Sequence, residues 1–303
     1  MRKFCWLVLV ALIHINFLVT ETAAENLPVD KPVISEIVGR PALWKVNDED
    51  TTIFIFGTVH ILPSEVQWST EVLKTSIGLS ETLVTEIDLA EDFEAEIAKF
   101  LSEKAFLSEE TSLRDLLDLD QREDYEAALS RLSIPANIFD NFKPWYAGMV
   151  LTTLPLKRAG YSQSEGVEQA ILRNTEHITT EGLETISYQL SIFAELPLEK
   201  QIQMLMANVA SLDDLLIYTA QMIEAWLIGD QASLAELITA GLSDPYLAEK
   251  ILYDRNKNWA LWIAERLERP GTTFMAIGAG HLTGERGLEY YLTDHGIDMV
   301  RIQ

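Results

Sequence analysis

The spacing of apolar positions changes period along this chain. Leu43-Trp44-Lys45-Val46 and the run from Thr51 to Phe56 flank the polar cluster Asn47-Asp48-Glu49-Asp50. Short apolar and β-branched runs on either side of turn-forming residues predict a strand hairpin. A helix is predicted at roughly 69–80, then a strand from Thr82 to Ile87. Over 90–133 the apolar residues recur at helical spacing, as in Leu113, Leu116, Leu117 and then Tyr125, Leu129, Leu132. Phe142-Lys143-Pro144-Trp145 opens a further helix, since proline suits a first turn, and Gly160 closes it. A short helix near 166–174 precedes a polar strand-like piece from Ile178 to Glu184. From Leu198 to Leu267 the pattern is helical, with breaks at Gly229-Asp230 and from Gly241 to Pro245. The end reads as strand (272–277), helix (284–294), Gly296 and strand (298–302).

These elements predict an α/β fold. Two strand–Gly-x-x-His–helix–strand units form a central sheet core, and a large helical insert, about 90–268, separates them. No stretch has the composition of a linker between independent domains.

The two units share a motif. Thr51-Thr52-Ile53-Phe54-Ile55-Phe56-Gly57-Thr58-Val59-His60-Ile61 aligns without a gap on Thr272-Thr273-Phe274-Met275-Ala276-Ile277-Gly278-Ala279-Gly280-His281-Leu282. An apolar run that ends in glycine delivers the next polar side chains to the rim of a sheet. Open α/β sheets collect ligands at the carboxyl ends of their strands. His60 and His281 are therefore expected at one site. Neutral imidazole is a common ligand of divalent metals, and a metal needs a carboxylate beside two imidazoles.

Glu86 ends the apolar run Thr82 to Ile87 and is the candidate carboxylate. It could ligate a metal, act as a general base towards bound water, or sit at the rim in an ion pair with arginine. Arg255 lies four after Ile251 and four before Trp259, on the apolar face of its helix. A cation aimed inward needs a carboxylate or a substrate oxyanion. Asn256 can reach the same place. Glu168, in Gly166-Val167-Glu168, and Glu184, in Gly182-Leu183-Glu184, are weaker candidates for substrate contact. His177 and His295 carry no motif and are expected to face solvent. No P-loop, dinucleotide fingerprint, His-Glu-x-x-His or Gly-x-Ser-x-Gly occurs.

Composition narrows the partners. The 303 residues hold 47 acidic and 23 basic side chains, for a net charge of −24. That balance argues against nucleic acid, whose phosphates need a positive face, and against anionic membrane surfaces. Arg2 and Lys3, the apolar run from Phe4 to Val19 and Thr22-Ala23-Ala24 read as a cleavable secretory leader, 1–24. An extended lead-in with Pro28, Pro32 and Pro41 spans 25–41. The only cysteine, Cys5, falls in the leader, so the mature chain relies on its core rather than on disulfides. A periplasmic or secreted location is expected, with no stable membrane anchor after cleavage.

The ordered set of motifs resembles the TraB/GumN family, which includes the animal Tiki proteins. The matching pieces run from Leu43-Trp44-Lys45-Val46 through Gly57-Thr58-Val59-His60 with Leu62-Pro63, then Glu86, Lys143-Pro144-Trp145 and Gly166-Val167-Glu168. They continue through Leu183-Glu184-Thr185 with Gln189, Trp226 with Gly229-Asp230, and Arg255-Asn256 with Trp259, to Gly278-Ala279-Gly280-His281. The family pattern often has Asp where this chain has Glu168. The resemblance implies a fold of the erythromycin-esterase-like and ChaN-like group. It also implies a metal-dependent hydrolytic site using manganese-, cobalt- or zinc-type divalent ions. On that reading His60, His281 and Glu86 hold the ion, Glu86, Arg255 and Asn256 serve catalysis, and the substrate is a peptide or protein. The alternative is a non-catalytic peptide-, haem- or metal-binding protein on the same fold.

Overall fold

A computed structural model describes residues 38–303, apart from 65, 89–92 and 176–177. The leader, Cys5, most of the lead-in and His177 lie outside the described residues.

The hairpin forms as expected. Strand β1 (Leu43–Asn47) pairs antiparallel with β2 (Thr51–Thr58), from Leu43 opposite Phe56 to Asn47 opposite Thr52. Asp48 closes the turn, its Oδ1 accepting from the backbone N–H of Thr51 at 2.8 Å and of Asp50 at 3.1 Å. The short β3 (Leu62–Pro63) follows His60. Helix α1 (Glu71–Gly78) is shorter than its periodicity predicts. Thr70 caps it by accepting from Leu73 N, satisfying one orphan donor of the first turn. β4 (Thr82–Ile87) has the predicted bounds.

Helices α2 (Phe93–Lys104), α3 (Leu119–Arg131) and α4 (Pro144–Arg158) then lead to β5 (Tyr161–Ser162), α5 (Val167–Leu172) and β6 (Thr179–Glu184). Next come α6 (Ile186–Ala194), α7 (Leu198–Ser211), α8 (Leu215–Leu227), α9 (Gln231–Gly241) and α10 (Pro245–Ala248). A π turn over Glu249–Tyr253 feeds α11 (Asp254–Leu267). β7 (Gly271–Gly278), a 3₁₀ turn (Ala279–Leu282), α12 (Leu288–Asp294) and β8 (Val300–Arg301) close the chain. The last helix starts four residues later than its pattern suggests, because the 3₁₀ turn and Gly287 at its N-cap occupy that stretch.

Among the described residues the strands form a six-stranded sheet of order β6-β4-β7-β2-β1-β8, and β3 pairs separately with β5. Strands β6, β4, β7 and β2 run parallel, so their carboxyl ends share one rim. The repeated runs, β2 and β7, are direct neighbours. Their pairing is one residue off the sequence alignment: Thr52, not Thr51, sits opposite Thr272, and Thr58 opposite Gly278. A one-residue offset reverses which face each aligned side chain takes. Phe54 and Phe56 accordingly join Phe274 and Ala276 in the core beneath the helical insert, including Trp145, Trp226 and Leu234. Ile53 and Ile55 join Met275 and Ile277 in the opposite core, against Trp259 and Ile263 of α11 and Leu288 and Leu292 of α12. Burying both faces accounts for the near-continuous apolar runs of these strands.

Candidate functional site

The parallel rim gathers the candidates. Glu86, next to last in β4, is buried, 4% exposed. Its Oε1 accepts the backbone N–H of Gly278 at 2.6 Å, and its Oε2 accepts Arg255 Nη2 at 2.6 Å and Gln189 Nε2 at 3.0 Å. A buried carboxylate is costly unless paired and hydrogen-bonded. Here burial favours the neutral acid, yet the Arg255 guanidinium, the His60 imidazolium and the Gly278 N–H outweigh it. The carboxyl is held well below the usual range.

Arg255 is the second residue of α11, just after the π turn, and is fully buried. Its Nε donates to both carboxylate oxygens of Glu184, at 3.0 and 2.9 Å. Its Nη1 donates to the Ile251 carbonyl at 2.9 Å and lies 2.9 Å from His281 Nε2. Trp259, one helical turn on, packs its ring against the guanidinium at 4.7 Å and donates from Nε1 to Glu184 Oε1 at 3.0 Å. Arg255 thus bridges Glu86 and Glu184. Of the two roles open to it in sequence, orienting Glu86 is the one its contacts serve, because it does not line the pocket in front.

The partners of His281 determine its tautomer. Asn256 Nδ2 donates to the Arg286 carbonyl at 3.0 Å, so its Oδ1 is the acceptor that faces His281 Nδ1 at 2.7 Å. Nδ1 then carries the hydrogen, and Nε2 accepts from Arg255. The ring packs 4.2 Å from Trp259 and is 1% exposed. Burial first, and then the adjacent Arg255 cation, push its pKa well below 6.5. His281 is a neutral, fixed imidazole.

His60 differs in every respect. It lies just past β2 with its side chain 19% exposed, and Nδ1 is 2.6 Å from Glu168 Oε1. Glu168 also accepts from the Thr58 hydroxyl. Burial disfavours the imidazolium, but the Glu168 and Glu86 carboxylates outweigh that effect and raise the pKa to about 9. The loop carrying Glu168 reaches His60 by backbone contact: Val167 N donates to Val59 O at 3.0 Å, while β3 pairs with β5 alongside. Gly166 is required there, since a Cβ on it would meet the His60 carbonyl oxygen at 2.2 Å.

Gly278 marks where the groups converge. A Cβ built on it would lie 2.9 Å from Glu86 Oε1, 3.6 Å from His60 Nε2 and 3.7 Å from His281 Cδ2. The pocket above is lined by Thr58, Val59, His60, Glu86 and Gly278 to His281 on one side. Met222, Leu234, Ile238, Leu242 and Leu252 form an apolar wall on the other, and the pocket spans about 630 Å³ counting the open solvent at its mouth.

The sequence model of the TraB/PrgY/gumN family matches residues 42–301. This chain belongs to the TraB/PrgY/gumN family. No curated protein and no solved structure matches the chain.

The family resemblance implies a divalent ion at His60, His281 and Glu86, and the donor set can be tested against one. Both His281 nitrogens are engaged, Nδ1 by Asn256 and Nε2 by Arg255. Both Glu86 oxygens accept hydrogen bonds, one from a fixed cation. Only His60 Nε2 and the remaining lone pairs of Glu86 Oε1 face the shared space. Among the described residues no group of three His, Cys, Asp or Glu side chains is spaced to hold an ion. In this arrangement the donors do not fit a divalent metal.

All seven candidates fall in one neighbourhood: His60, Glu86 and His281 line the pocket, Glu168 contacts His60, and Glu184, Arg255 and Asn256 stand behind Glu86 and His281. Gln189 and Trp259 belong to the network too. Gln189 spans Glu86 and Glu184, its Nε2 3.0 and 3.1 Å from their oxygens. An amide on the same buried face of α6 as Ile186, Leu190 and Phe193 was the available signal. His295 stands apart, at the C-cap of α12.

Proposed function

We propose that this chain is an exported hydrolase of amide or ester bonds, a peptidase in the first instance, in which His60 carries the proton. One observation supports it: an imidazole oriented by a carboxylate through Nδ1 presents Nε2 to a pocket with an apolar wall. A base oriented by a third group is the arrangement that activates water or a nucleophile. Neutral His60 takes a proton from water at Nε2 while the water oxygen bonds to the substrate carbonyl carbon. The imidazolium then gives that proton to the departing amine or alkoxide as the carbon–heteroatom bond breaks. Glu168 holds the ring and stabilises its charged form. Glu86, kept ionised by Arg255, gives the second negative charge beside the imidazolium. The apolar wall excludes water and receives a nonpolar part of the substrate. The leader read at 1–24 supports export.

The test is hydrolysis of peptide and acyl-ester libraries by the mature chain, with chelator and with added Mn²⁺, Co²⁺ or Zn²⁺. Loss of general-base catalysis in His60→Gln is expected to slow turnover by roughly 10²–10⁴-fold. Equal rates in His60→Gln and the parent chain would reject the proposal. The apolar wall also favours a second reading, binding without turnover, which calorimetric binding of a library member that stays intact would establish.

A further inference from the structure

We infer that Arg255 occupies the electrostatic position of the expected divalent ion, so that the site is built around a fixed organic cation and takes up no metal while that side chain is present. The inference rests on the geometry of the network and goes beyond the hydrolase proposal, because its test needs no turnover.

The guanidinium contacts the same kinds of group a metal would collect. Its Nη2 is 2.6 Å from Glu86, its Nε is 2.9 Å from Glu184, and its Nη1 is 2.9 Å from His281 Nε2. It therefore stands between two carboxylates and the lone pair of a neutral imidazole, all nine-tenths or more buried. A guanidinium stays charged under all ordinary conditions. A divalent cation brought beside Glu86 and His281 would meet this positive charge in a poorly solvated space, where repulsion is weakly screened. It would also have to displace Arg255 from His281 Nε2. The arginine resists that displacement, since Nη1 is tied to the Ile251 carbonyl of the π turn and the ring of Trp259 packs on the guanidinium.

Removing the guanidinium while keeping an apolar stem would leave Glu86, Glu184 and His281 facing the space it vacates. Carboxylates and imidazole suit divalent first-row metals. The consequence is a switch: the parent chain rejects the ion, and the arginine-free variant accepts it.

The experiment is metal analysis of the parent chain purified without added ions, followed by Co²⁺ titration of the parent chain and of Arg255→Met. The readouts are ligand-field absorption and thermal shift. The parent chain is expected to carry far less than one equivalent of any transition metal and to show no site-specific Co²⁺ absorption at micromolar ion. Arg255→Met is expected to bind Co²⁺ at least tenfold more tightly, with the gain lost when His281→Ala is added. One tightly held equivalent in the parent chain would overturn the inference, as would a folded Arg255→Met with no gain. If Arg255→Met does not fold, the parent-chain titration decides alone.

Discussion

His60 and His281 share a motif yet have opposite proton chemistry, and their neighbours explain why. Two carboxylates flank His60, whereas His281 sits buried against a guanidinium. Removing the charge of Glu168 should therefore lower the His60 pKa from about 9 towards 6.5. If neutral His60 is the base, the parent rate rises with pH through about 9, and Glu168→Gln moves that limb to lower pH. A pH–rate profile of the two proteins checks the direction, and an unmoved limb would separate His60 from the rate. Glu86 is the other decisive residue. Glu86→Ala leaves Arg255 buried beside one carboxylate in place of two, and breaking a buried pair this way costs about 3–5 kcal/mol. Denaturant unfolding of the variant measures it.

At the level of elements, Gly166 and Gly278 set the approach distances. Gly278→Ala places a methyl 2.9 Å from Glu86 Oε1, which accepts from Gly278 N, in a carboxylate that Arg255 anchors through Oε2. The expected result is about 1–3 kcal/mol of lost stability from overpacking together with a loss of turnover larger than that of a neighbouring surface variant. The strands and the Glu86 rim were legible in sequence because buried parallel strands leave dense apolar runs with a polar end. Glu168 was legible only faintly. Its meeting with His60 depends on β3 pairing with β5, two-residue strands about a hundred positions apart that carry no periodicity. The π turn ahead of Arg255 was equally hidden, since helical spacing reads across it. The repeat misled on one point. Letter-by-letter alignment implies matching faces, but the strands pair one residue out of that alignment, so aligned side chains of the two runs face opposite sides of the sheet.

Over the whole molecule, the first and last parallel-strand units lie side by side and close one site between them. None of the described helices is long and apolar enough to cross a membrane. Three buried groups then link stability to pH. Glu86 is depressed, so its contribution is present above its ordinary value of 4.5 and lost on acidification through its folded value. His281 is depressed, so the unfolded chain gains a proton below 6.5 that the folded chain cannot take, and stability falls there. His60 is raised, so its contribution is full below 6.5 and disappears as pH climbs through about 9. Thermal unfolding should show a maximum near neutrality, with the alkaline decline flattened in His60→Gln.

The convergence of the two chain ends onto unlike histidines is most directly read by NMR titration of the imidazole ¹⁵N signals, assigned with His60→Gln and His281→Asn. His60 is predicted to titrate near 9, with His281 remaining neutral as the Nδ1–H tautomer down to well below 6.5. Both rings titrating together near 6.5, with no response of His60 to Glu168→Gln, would contradict the arrangement.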